Sequence, residues 1–218
     1  MTRIAVFDLD GTLVDSAADI HAALDRLMAA RGLPGFGRPE VTAMIGDGVR
    51  VLVTRALAAR GLPFEEAALA AFMADYEAEA AVLTRPFAGI PEALDALAAA
   101  GWRMAVCTNK PVSAARRLLD ALGLSARFDA LGGGDSFPVR KPDPGHLRAT
   151  LAAAGGDPSR AVMIGDHAND MRAAAGAGVP AIFAGWGYGP EAMAAGAPIA
   201  GTPDALPALI AALTAPAG

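Results

Sequence analysis

Apolar and polar positions fall in blocks along this chain. Four short apolar runs, Ile4 to Phe7, Met104 to Cys107, Ala161 to Ile164 and Val179 to Ala184, are too short for helices and show no in/out alternation. Strands covered on both faces of a parallel sheet read this way. Phe128 to Leu131 is a weaker fifth run. Helical stretches with readable ends lie between them. Pro91 opens and Gly101 closes Glu92 to Ala100, Pro111 opens a segment ending near Gly123, and Pro203 starts a last helix running to about Thr214. From residue 86 onward strand and helix alternate, which predicts an α/β fold: a Rossmann-like, doubly wound parallel sheet with right-handed crossovers.

Residues 15–84 break this alternation. Ile20, Leu24 and Leu27, then Val49, Leu52, Val53 and Leu57, then Leu69, Phe72, Met73 and Tyr76 recur with helical period, and no strand intervenes. The pattern predicts a helical cap inserted at 15–84 into a core built from 1–14 and 85–218.

Composition narrows the partners. The 218 residues are 54% hydrophobic, but 54 of them are Ala, which favours helix without making segments oily. The net charge of -5 offers no basic field for nucleic acid or anionic lipid, and Asp8 and Asp10 interrupt the first apolar run where a leader would need to stay apolar. The expectation is a cytoplasmic monomer or homodimer acting on a small molecule. One cysteine, Cys107, cannot close an internal disulfide. The 18 basic residues are 16 Arg and only two Lys, Lys110 and Lys141.

Ligands of open α/β sheets bind beyond the carboxyl ends of the strands. The first strand ends there in Phe7-Asp8-Leu9-Asp10-Gly11-Thr12, and the second in Cys107-Thr108-Asn109-Lys110. Arg140-Lys141-Pro142-Asp143-Pro144 brings one cation toward the next strand, which ends in Gly165-Asp166-His167-Ala168-Asn169-Asp170. Asp, Thr, Lys and Asp thus converge from four separated segments. Cys107 at a strand end, with His167 at the same edge, also admits a thiol reading, although a Cys closing an apolar strand is usually a small buried hydrophobe.

These motifs resemble the haloacid dehalogenase superfamily, through Asp8-Leu9-Asp10-Gly11-Thr12, Thr108, Lys141 and Gly165-Asp166 with Asp170. Asp15-Ser16, Ile45-Gly46-Asp47-Gly48-Val49, Thr108-Asn109-Lys110-Pro111 and Val139-Arg140-Lys141-Pro142-Asp143-Pro144 resemble its phosphoglycolate phosphatases. The resemblance implies a Mg²⁺-dependent phosphatase of a small phosphomonoester, best matched by 2-phosphoglycolate, working through an aspartyl phosphate. It implies Asp8 as nucleophile, Asp10 as general acid and base, and Thr108, Asn109 and Lys141 around the phosphate. Mg²⁺ would sit on Asp8, the Asp10 carbonyl and Asp166, with Asp170 orienting Lys141 or a metal-bound water. Gly46, Lys110 and Arg50 are candidates for substrate contact, the two cations for a carboxylate.

Charge supports the same conclusion independently. A phosphomonoester carries roughly two negative charges, and Asp8, Asp166 and Asp170 add three more against one Lys. An all-oxygen shell with waters suits Mg²⁺, whereas zinc would want His or Cys. Rival activities within the superfamily are sugar-phosphate or pyrophosphate hydrolysis and phosphomutase chemistry. The mutases resemble this chain through a cap His ten residues beyond the acid/base Asp, where this chain has Ile20, with His21 about 100° round the helix. A cap without Lys excludes a Schiff base there. A phospho-acceptor module of the receiver type also orders Asp, Thr and Lys this way, but lacks an inserted helical cap.

Overall fold

A computed structural model describes residues 2–79 and 81–214. In chain order, strands β1 (Arg3–Phe7) and β2 (Val14–Asp15) lead into helices α1 (Ala17–Ala29), α2 (Arg38–Thr42), α3 (Val49–Ala58) and α4 (Glu66–Ala78). The chain returns through β3 (Arg85–Pro86) and α5 (Ile90–Ala99). It then alternates β4 (Trp102–Cys107), α6 (Val112–Ala121), β5 (Ala130–Gly132), α7 (Pro144–Ala153), β6 (Ala161–Gly165) and α8 (Ala168–Ala177). Strands β7 (Ala181–Ala184) and β8 (Ile199–Ala200) and helix α9 (Leu206–Leu213) complete the fold.

Six strands pair in parallel in the order β5-β4-β1-β6-β7-β8, as the unbroken apolar runs predict. The sheet is covered on both faces. Ala5 and Phe7 point into one cluster with Val106, Ile164, Ile182 and residues of α5, α6 and α9. Ile4 and Val6 point into the opposite cluster with Ala105, Cys107, Met163 and residues of α7 and α8. Burying each Val, Ile, Phe or Met side chain among these stabilises the fold by about 1.5–3 kcal/mol. The central strand β1, fully covered on both sides, thereby fixes the acidic segment that follows it.

The helices α1 to α4 build a separate buried cluster around Leu24, Met28, Val53, Leu57 and Phe72, which meets the sheet unit at Ala114 of α6. Helix α2 and the two-residue strands β2 and β3 have no counterpart in the sequence reading. Val14 pairs with Pro86 and Asp15 with Arg85, so the entry and exit of the helical segment run side by side as an antiparallel ribbon. No described helix is long and apolar enough to cross a membrane.

Candidate active site

Five segments meet at the carboxyl end of the sheet. Beyond β1 the amides of Thr12, Leu13 and Val14 all turn back onto the Leu9 carbonyl. Gly11 adopts φ +87°, and a Cβ there would strike the Asp166 carboxylate and the Tyr188 ring. That tight turn sets Asp8 and Asp10 over the sheet edge while Leu9 is fully buried.

Lys141 is buried between two carboxylates, its Nζ 2.6 Å from Asp170 Oδ1 and 2.8 Å from Asp8 Oδ1. Burial alone would lower its pKa, but the Asp170 and Asp8 charges overcome that and hold the ammonium above its ordinary range. The approach to Asp8 is off the hydrogen-bonding direction, so Asp8 Oδ1 is buried with no hydrogen-bond donor. Asp170 spends its second oxygen on the His167 backbone N–H, at 3.0 Å. Asp170 therefore orients Lys141 directly.

Asp166 is held by the Thr12 hydroxyl and the Tyr188 backbone N–H, each at 2.8 Å. Burial, then the neighbouring Asp8 and Asp170 charges, push its carboxyl up to about 7. Ligand oxygens of Asp8, Asp166 and Asp170 all lie within 4.8 Å of one another. Three clustered carboxylates with one lysine, no soft donor and an orphaned oxygen on Asp8 fit a hard, oxygen-seeking divalent cation.

Asp10 faces the other side of the cleft. Its Oδ1 accepts from the Ser16 hydroxyl at 2.6 Å, and Lys110 Nζ lies 2.9 and 3.0 Å from its two oxygens. Lys110 Nζ also donates to Tyr76 Oη at 2.7 Å. Thr108 is buried at the end of β4, its Oγ1 accepting the Lys110 amide. The Asn109 side chain donates to the carbonyls of Gly46 and Lys141, at 3.0 and 2.9 Å, joining the helical segment to the third-motif loop. Asn169 adds bonds to Gly46 and to Asp47.

The sequence-expected residues Asp8, Asp10, Thr108, Asn109, Lys110, Lys141, Asp166, Asp170 and Gly46 are thus brought to one place. Arg50 is a correction. It is exposed on α3, does not line the cleft, and pairs with Glu66 in solvent. His21 likewise bonds the Phe36 carbonyl, while Ile20 lines the cleft. The thiol alternative fails on chemistry: burial pushes Cys107 up to about 11, and its neighbour is His146 rather than His167.

Three contributors escaped the sequence reading. His146 is buried and its Nε2 donates to the Gly133 carbonyl, so its Nδ1 accepts the Lys141 backbone N–H at 3.2 Å. Trp186 Nε1 donates to the Thr12 carbonyl. Tyr188 places its hydroxyl on the amides of Ser16 and Ala17 and on Asp15, while its own amide holds Asp166. The only signal for the last two was Gly185-Trp186-Gly187-Tyr188-Gly189, where aromatics in a glycine-rich stretch mark close backbone packing rather than a plain turn.

Comparison with known proteins agrees with this geometry. The profile of haloacid dehalogenase-like hydrolases matches residues 2–178. A phosphoglycolate phosphatase of Agrobacterium fabrum is 44% identical over 192 residues, covering 86% of this chain and 82% of the relative. One from Cereibacter sphaeroides is 49% identical over 178 residues, covering 80% and 81%. A crystal structure of a predicted phosphoglycolate phosphatase from Haemophilus somnus superposes with a TM-score of 0.86 at 28% identity, covering 95% of this chain and 97% of its own.

Proposed function

Since this chain belongs to the haloacid dehalogenase-like hydrolases, we propose that it is a Mg²⁺-dependent phosphatase converting 2-phosphoglycolate to glycolate and phosphate. The observation that carries this reading is the convergence of buried Asp8, Asp166 and Asp170 around Lys141, with Asp8 Oδ1 ion-paired to Lys141 but accepting no hydrogen bond, and with Lys110 as the cation beside Asp10. Relatives named for this activity at 44–49% identity support the substrate.

Asp8 attacks phosphorus and carries the phosphoryl group as an aspartyl phosphate. Asp10 gives a proton to the departing glycolate oxygen and later takes one from the attacking water. Lys141, fixed by Asp170, neutralises charge that grows on the phosphoryl oxygens, and Thr108 with the Asn109 backbone N–H grips them. Asp8, the Asp10 carbonyl and Asp166 would hold Mg²⁺, with Asp170 behind Lys141; the ion would offset the repulsion between nucleophile and ester. Residues 15–84 act as a cap that excludes bulk water from the covalent intermediate.

Phosphate release from 2-phosphoglycolate, sugar phosphates, nucleotides and pyrophosphate, with and without EDTA, tests the assignment. Phosphoglycolate should give the highest kcat/KM, and EDTA should abolish turnover. A better sugar phosphate would overturn the substrate, and EDTA-insensitive turnover would overturn the metal.

A further inference from the structure

Tyr76 is the one hydroxyl among the described residues that the helical segment presents to Lys110. It sits in the last turn of α4, 3% exposed, with its ring stacked on Phe72 at 5.8 Å between centroids. Its oxygen is committed as acceptor to Lys110 Nζ, which also lies 4.5 Å from the ring centroid. The phenolic proton therefore remains to be donated, and no acceptor takes it among the described residues.

The space these groups face is small and apolar. A cavity of about 50 Å³ is bounded by Asp8, Asp10 and Lys110 below and by Ile20, Leu52 and Phe72 above. By that measure it holds only a few water-sized groups. Lys110 Nζ is 2.9 Å from the carboxyl of Asp10, the group placed to meet the ester oxygen. A carboxylate joined to that oxygen through one CH₂ sits about 3 Å from it, within reach of the same ammonium. Apolar walls raise the strength of any ionic hydrogen bond made there.

We propose that Tyr76 and Lys110 form a carboxylate clamp divided between cap and core, Lys110 supplying charge and the Tyr76 hydroxyl a second donor. It rests on the phosphatase reading above and adds the residue that discriminates within it. The clamp selects short phosphoesters with an anion next to the ester carbon. Neutral alcohol halves forfeit both bonds. Because one jaw is on α4 and the other follows β4, a bound carboxylate also ties the helical segment to the sheet at the moment of reaction.

The test compares 2-phosphoglycolate with ethyl phosphate, in which a methyl group replaces the carboxylate, on the whole chain with Mg²⁺. Tyr76→Phe keeps the stacked ring and removes the hydroxyl. Losing one charge-assisted hydrogen bond should cut the phosphoglycolate/ethyl phosphate ratio of kcat/KM by about 10-fold or more, mostly through KM. A merely structural role would depress both substrates alike, and an unchanged ratio overturns the clamp. As a second measurement on the unaltered protein, phosphonoacetate should inhibit at least 10-fold more tightly than ethylphosphonate. Equal inhibition overturns the carboxylate site even where Tyr76→Phe does not fold. If the unaltered enzyme fails on phosphoglycolate but discriminates phosphonates, the substrate assignment falls and the clamp stands.

Discussion

Lys141 illustrates how much one cation is asked to do. It lies between Asp8 and Asp170, inside a space cut to an ammonium. Lys141→Arg keeps the charge but brings a planar fork that does not fit between two carboxylates this close. We expect kcat to fall by roughly 100-fold or more, as when a transition-state donor is removed; steady-state kinetics showing near-normal kcat would refute the role. Asp8→Asn should remove turnover altogether, checked by single-turnover phosphate release, since an amide cannot form the acyl phosphate.

His146 gives the residue scale a pH signature. Burial, then the Lys141 charge, push it down to about 4 from the ordinary 6.5. Between those values the unfolded chain takes up a proton that the folded one refuses. The share of stability that neutral His146 contributes is therefore complete above pH 6.5 and is lost as pH falls toward 4, at up to about 1.4 kcal/mol per pH unit. His146→Gln should flatten this decline. Urea unfolding at pH 7 and pH 5 measures it, and identical pH slopes in the two proteins would contradict the assignment.

At the scale of elements, legibility followed length and period. Strands β1, β4, β6 and β7 were readable because Ile4 to Phe7 and their counterparts are unbroken apolar runs. Strands β2, β3 and β8 have two residues each and show no period to detect. The motif residues were legible because chemistry restricts which side chains can sit at a strand end. Arg50 was misplaced because its charge was visible and its direction around α3 was not; Glu66, its partner, comes 16 residues later. Tyr188 was invisible because its three hydroxyl bonds reach back more than 170 residues. Tyr188→Phe should keep the edge contact with Phe87 but release α1 from the loop that holds Asp166. A several-fold weaker Mg²⁺ midpoint in thermal-shift titration is expected; a lower Tm with an unchanged midpoint would make Tyr188 a packing residue only.

For the whole molecule, charge arrangement matters more than charge total. Asp8, Asp166 and Asp170 repel one another in a buried cluster, with Lys141 as the cation at its centre. A divalent cation that binds only the folded chain at 100 times its Kd adds about 2.7 kcal/mol, or roughly 5–10 °C in Tm at this size. Calorimetry with Mg²⁺ and with EDTA should show that difference, and superimposable transitions would argue against a cation site.

The β2-β3 ribbon carries a consequence for how this molecule can change. Val14 faces Pro86, so the chain leaves the sheet unit and rejoins it at neighbouring points. The helices between them are a parenthesis in the text of the core: they can lengthen, drift or be exchanged without altering the register of any strand behind Asp8. On the clamp proposed above, one jaw, Tyr76, is revisable with that parenthesis, while Lys110 and the phosphoryl grammar stay with the core.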